Sequence, residues 1–144
     1  MQKHISAAEA AQMAASQAAP NSGICVPVNI AIVTLDAHMA AAAERAEVRL
    51  RKAMPGLRLK VHATTDWNDE AAKARAKADV ESADFVIANM MFMEDHINAV
   101  RPWMEARRDA CDAMVGTLSA GDIVKLPRLG AFDMSQPASG AVAL

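Results

Sequence analysis

From about residue 28 onward the chain alternates two kinds of hydrophobic pattern. Apolar, largely β-branched runs occur at 29–35 (NIAIVTL), 84–90 (DFVIANM) and 113–118 (AMVGTL). Short apolar runs of this kind suit strands buried on both faces. A further run, 57–63 (LRLKVHA), alternates apolar with basic residues, as an outer strand does. Between the runs the apolar spacing changes to three and four. Met39, Ala43, Ala46, Leu50 and Ala53 share one face of a helix over 38–54, which Pro55-Gly56 stops. Ala71, Ala74 and Ala78 give a thin face to a second helix over 69–82, with Asn68 as its cap. Ile97, Val100 and Met104 mark a third over 94–108, and Cys111 follows their register. Pro102 removes a backbone donor inside this helix and is expected to kink or split it. A short helix over 121–129, strained by Pro127 and ended by Gly130, closes the pattern.

The order is therefore βαβαβαβα. Short strands alternating with helices imply a parallel sheet with helices on both faces and right-handed crossovers. The expected fold class is α/β, a three-layer sandwich with a parallel sheet of about four strands, flavodoxin-like or Rossmann-like, in order 2-1-3-4. Residues 1–23 are rich in Ala, Ser and Gln and read as a flexible tail, because a short Ala-rich helix without a packed face is marginal in water. The α/β domain is expected over 24–134. Residues 135–144 read as a second flexible tail, or as a junction to the rest of a longer subunit.

Composition narrows the function classes. The chain has 144 residues and a formal net charge of −2, with no basic excess to drive binding to nucleic acid or to an anionic membrane. Three Phe, two Trp and no Tyr are too few for a platform that stacks bases. No apolar run approaches the ~20 residues needed to span a bilayer. Cys25 and Cys111 stand far apart without a C-x-x-C, and no secretory signal precedes them, so reduced thiols and the cytoplasm are expected.

The chemistry that remains gathers at one edge. In open parallel sheets, ligands sit at the carboxyl ends of strands, where strand order reverses. Asp36-Ala37-His38, Thr64 to Trp67, Met91 to His96 and Ser119-Ala120-Gly121 are expected there. His38, Trp67, Met91, Met93 and His96 are the candidate rim residues. The phosphate cradles G-x-x-x-x-G-K-[ST] and G-x-G-x-x-G are absent, as are the G-x-S-x-G nucleophile turn and the H-E-x-x-H or paired-Cys zinc spacings. No catalytic and no metal-ligating residue is assigned. Each candidate also has a plainer role. Glu94 and Asp95 suit the positive end of a helix dipole. The methionines suit core filling at a strand end or contact with a flat apolar ligand. Asp36-Ala37-His38 matches two positions of the D-x-H-x-x-G motif of cobalamin-binding domains, with Ala41 in place of the glycine; otherwise Asp36 serves the following helix as a cap.

Longer phrases carry a family resemblance. Asn29 to His38 (NIAIVTLDAH), Ala88 to His96 (ANMMFMEDH), Arg107 to Gly116 (RRDACDAMVG), Leu118 to Lys125 (LSAGDIVK) and Leu129 to Ser135 (LGAFDMS) run in order. Together they resemble the amino-terminal domain of the large, porphyrin-binding subunit of magnesium chelatase, closest to the bacteriochlorophyll type, over about Val28 to Ser135. Pro127 departs from what that resemblance leads one to expect in the last helix. The resemblance implies protoporphyrin IX as substrate of the parent subunit. It implies an AAA+ ATPase subunit, an integrin-domain-containing subunit and the rest of the large subunit as partners. Mg2+ and ATP would be used by the complex rather than held by this domain. On this reading the parent complex is a ligase, the domain alone is not catalytic, and its role is porphyrin binding or subunit docking. The alternatives are a free-standing cobalamin-type module and a purely structural docking head.

Overall fold

A computed structural model describes residues 25–137. The proposed tail over 1–23 and most of that over 135–144 lie outside the described residues. The elements are β1 (Val28–Thr34), α1 (Met39–Leu50), β2 (Leu57–Ala63), a single 3-10 turn (Thr64–Asp66), α2 (Glu70–Ser82), β3 (Phe85–Asn89), α3 (Glu94–Arg107), β4 (Ala113–Thr117), α4 (Gly121–Val124), β5 (Arg128–Leu129) and β6 (Phe132–Asp133).

The sheet has six strands in the order β2-β1-β3-β4-β5-β6. β2, β1, β3 and β4 run parallel, as the pattern predicts, and β5 and β6 add an antiparallel hairpin at the β4 edge. The chain steps one way from β1 to β2 and the other way from β1 through β3 to β4. Right-handed crossovers in opposite directions put their helices on opposite faces. α1 therefore lies on one face and α2 and α3 on the other, a three-layer sandwich.

The α2/α3 face holds the main core. Ala31 and Val33 of β1, Val86 and Ala88 of β3 and Met114 of β4 point into it, and all are essentially solvent-free. Ala76 and Val80 of α2 and Val100, Trp103 and Met104 of α3 close over them. The apolar face of α2 thus runs through Ala76 and Val80, and Ala71, Ala74 and Ala78 are exposed. Alanine occupies both sides of this helix, so periodicity alone is ambiguous; the bulkier Val80 selects the side that packs. The cap is Asp69 rather than Asn68, its Oδ1 accepting the Ala71 N–H at 2.9 Å.

α3 runs unbroken from Glu94 to Arg107 through Pro102. The proline lies on the exposed side, so water can meet the Asn98 carbonyl that loses its intrahelical donor. Val100, Trp103 and Met104 hold both flanking turns to the core. The expected helix over 121–129 is corrected to the short α4, after which Pro127 sits buried in the connection to β5. Pro127 thus strains no helix. Its carbonyl accepts the Met134 N–H at 3.0 Å, which folds the hairpin back, and Gly130 turns it at φ +57.

Candidate functional site

The carboxyl edge of the parallel strands is built from the last residue of each strand. Thr34, Asn89 and Thr117 are register partners across β1, β3 and β4, so their side chains stand in one row on the α1 face. Thr117 Oγ1 donates to Asn89 Oδ1 at 3.0 Å, and Asn89 Nδ2 donates to Thr34 Oγ1 at 3.4 Å. Thr34 is fully buried, and its Oγ1 also accepts the Asp36 N–H at 3.0 Å. The row crosses the gap between β1 and β3, where strand order reverses and ligands of open α/β sheets sit. Sequence reasoning passed over these residues. Their signal was positional: each is the last polar residue of an otherwise apolar run.

Just beyond the row, β3 and β4 leave in matching ways. Met90 at φ 57 and Leu118 at φ 47 are both left-handed, a conformation that non-glycine side chains seldom take. Cross-bonds hold the two exits together. Met90 N–H donates to Thr117 O at 3.2 Å, and Ala120 N–H to Met91 O at 2.9 Å. Ser119 Oγ accepts the Met91 N–H at 3.0 Å and donates to Thr117 O at 2.9 Å.

The candidate rim residues fall into two groups. Trp67 and Met91 are buried, at 8% and 1% exposure. Trp67 packs on Trp103, with ring centroids 5.4 Å apart, and meets His96 edge-to-face at 5.8 Å. His96, in the first turn of α3, is half-buried by that contact. Met93 is 56% exposed and His38 is exposed at the start of α1. Among the five, ring contact joins Trp67 to His96. Asp36 serves its own loop, its Oδ1 accepting the His38 N–H at 2.9 Å.

Beside Trp67 lies a cleft of about 310 Å3 lined in part by Lys60, His62, Asp66, Arg75 and Asp79. His62 Nε2 and Asp79 Oδ2 are 2.8 Å apart and tie β2 to α2. At the same edge the Thr64 hydroxyl is buried without a hydrogen-bond partner. Among the described residues, no group of three or more His, Cys, Asp or Glu side chains could hold a metal ion. No helix among them is long and apolar enough to cross a membrane. Chemically, the edge offers hydrogen-bonding hydroxyl and amide groups, an edge-to-face Trp67–His96 pair and exposed thioether and imidazole side chains.

Comparison with known proteins supplies independent findings. A family profile described as a domain of unknown function (DUF3479) matches residues 29–144. The chain is 49% identical over 117 residues to the H-type magnesium-chelatase subunit of Cereibacter sphaeroides, covering 81% of this chain and 10% of that protein. It is 44% identical over the same length to the H-type magnesium-chelatase subunit of Rhodobacter capsulatus, with the same coverage. The chain thus spans about a tenth of the length of these relatives.

Proposed function

The chain belongs to the family described as a domain of unknown function (DUF3479), and from that premise we propose that it works as the amino-terminal domain of a magnesium-chelatase H-type subunit. The observation that carries this is the 49% identity to one such subunit over 117 residues, 81% of this chain. On this reading the parent complex inserts Mg2+ into protoporphyrin IX, driven by ATP hydrolysis, toward bacteriochlorophyll. Its AAA+ ATPase and integrin-domain-containing subunits are the partners, and it works in the cytoplasm. Mg2+ and ATP are handled elsewhere in the complex, and the domain itself is not catalytic.

Within that subunit the domain assists porphyrin capture at the carboxyl edge. A porphyrin is flat and apolar with polar substituents, so it needs an apolar contact surface beside a few placed polar groups. Met93 offers an exposed thioether, which adapts to flat faces. His38 and His96 offer imidazoles, and the buried Trp67 backs His96 through ring contact. The basic side chains of Lys60 and Arg75 in the neighbouring cleft suit carboxylate substituents.

A protoporphyrin titration followed by tryptophan quenching and a Soret shift tests this. Saturable binding of micromolar strength or tighter is expected, weakened in His38→Ala and His96→Ala and with altered quenching in Trp67→Phe. Absence of saturable binding would remove porphyrin capture from this domain and leave docking as its role.

A further inference from the structure

The sheet is covered unevenly, and the uncovered part has a consistent chemistry. On the α1 face, register places Ile30, Phe85, Ala113, Leu129 and Phe132 in one row across β1, β3, β4, β5 and β6. Ile32, Ile87 and Val115 form the next row. α1 packs mainly against β2. Phe85 and Ile87 of β3 are half-buried and Ala113 of β4 is buried, so shelter extends to the middle of the sheet. Beyond it Leu129 and Phe132 are each 57% exposed and Val115 36%. No residue of β3 to β6 that points to this face is charged.

The hairpin is not free to turn these side chains inward. Arg128 and Asp133, which alternate with Leu129 and Phe132, point to the α3 side. There Arg108 pairs with Asp133, donates from Nη2 to Ser135 Oγ at 3.2 Å and from Nε to Leu126 O at 2.9 Å, and its carbonyl accepts from Arg128 Nη1 at 3.1 Å. The polar side of the hairpin is clamped inward, and its apolar side is held toward solvent. Contiguous apolar surface kept open in this way marks a contact.

We propose that the open outer edge of this face, at Val115, Leu129 and Phe132, seats an apolar helix contributed by the same H-type subunit outside this domain. The proposal rests on the functional reading above. The width fits: β4, β5 and β6 span two strand spacings of about 4.8 Å each, and one helix occupies about 10 Å. The occupant is available, because the matched stretch is a tenth of each relative's length. Parallel sheets are stable with both faces covered, and α1 already supplies the first helix of that layer.

Maleimide labelling of the native full-length subunit tests the seat. Phe132→Cys and, in case that change disturbs the hairpin, Leu129→Cys are compared with Ala74→Cys, exposed on α2 across the sheet. Docking predicts that both hairpin thiols react at least about tenfold more slowly than the α2 thiol, at every protein concentration. Equal rates would overturn the proposal. Slowing that appears only as concentration rises, with a doubled sedimenting mass, would overturn the occupant and assign the face to a second copy. Porphyrin titration of the same variants reads the functional proposal separately, because protection of the hairpin requires no porphyrin.

Discussion

On one side of the sheet, Val33, Val86, Ala88 and Met114 are sealed beneath two helices; on the other, Phe132 and Leu129 are more than half exposed. Both sets of side chains are apolar, so composition does not separate them. Connection geometry does. The β1-to-β2 crossover contributes one helix to its face, and the two crossovers running the other way contribute α2 and α3 to theirs. Burial in this domain follows from the direction in which the chain leaves β1, and the hydrophobic pattern is satisfied least at the hairpin end, where no crossover supplies a lid.

That contrast can be broken by substitution, beginning where the effect is greatest. Met114→Ala empties a fully buried site on the covered face and should cost about 3 kcal/mol in urea unfolding. A loss below about 1 kcal/mol would mean that this face is packed no better than the open one. Gly130→Ala meets no atom within 4 Å, yet its φ of +57 disfavours a Cβ, so about 1 kcal/mol is expected by the same measurement. No change would show that the hairpin turn adjusts freely.

The next effect is one of pH. Hydrogen bonds from the Ser135 hydroxyl and backbone N–H, and then Arg108, hold the Asp133 carboxyl below its ordinary pKa. A carboxyl with a lowered folded pKa contributes stability above its unfolded value and loses it as pH falls through the folded one. Hairpin amide protection should therefore be level above pH about 5 and decline below it, and Asp133→Asn should flatten the profile. The smallest effect belongs to the open face. Phe132→Ser should stay within about 0.5 kcal/mol of the parent chain in the 144-residue protein. A larger loss would show that the face is already covered by the chain's own residues.

The strands and their order were legible because their patterns were strong. β2 matches the alternating stretch 57–63, and β1, β3 and β4 match the apolar runs to within a residue at each end. The helix faces were legible only where side chains differed. Val100 and Met104 mark α3, whereas the alanines of α2 left two sides equivalent until Val80 decided between them. The β5–β6 hairpin was missed because each strand has two residues, too short for any period to register. At the candidate site, sheet topology located the carboxyl edge, but burial separated its residues. Trp67 was expected at the rim, and its contact with Trp103, distant in sequence, draws it inside. The Thr34–Asn89–Thr117 row was not anticipated because cross-strand register is a property of the folded sheet.

One feature lies at the far end from all of this. Gly56 has no Cβ, and one placed there would come within 2.5 Å of Val26 O and 2.9 Å of the Cys25 sulfur. That close crossing seats Cys25, an exposed residue, at the amino-terminal edge, while Cys111 is buried and burial raises the pKa of its thiol. The seven residues of β1 separate Cys25 from the carboxyl edge by about 23 Å. A dye attached to Cys25 is therefore a site-selective spectroscopic ruler, placed at a separation over which resonance energy transfer reports a chromophore arriving at the opposite edge.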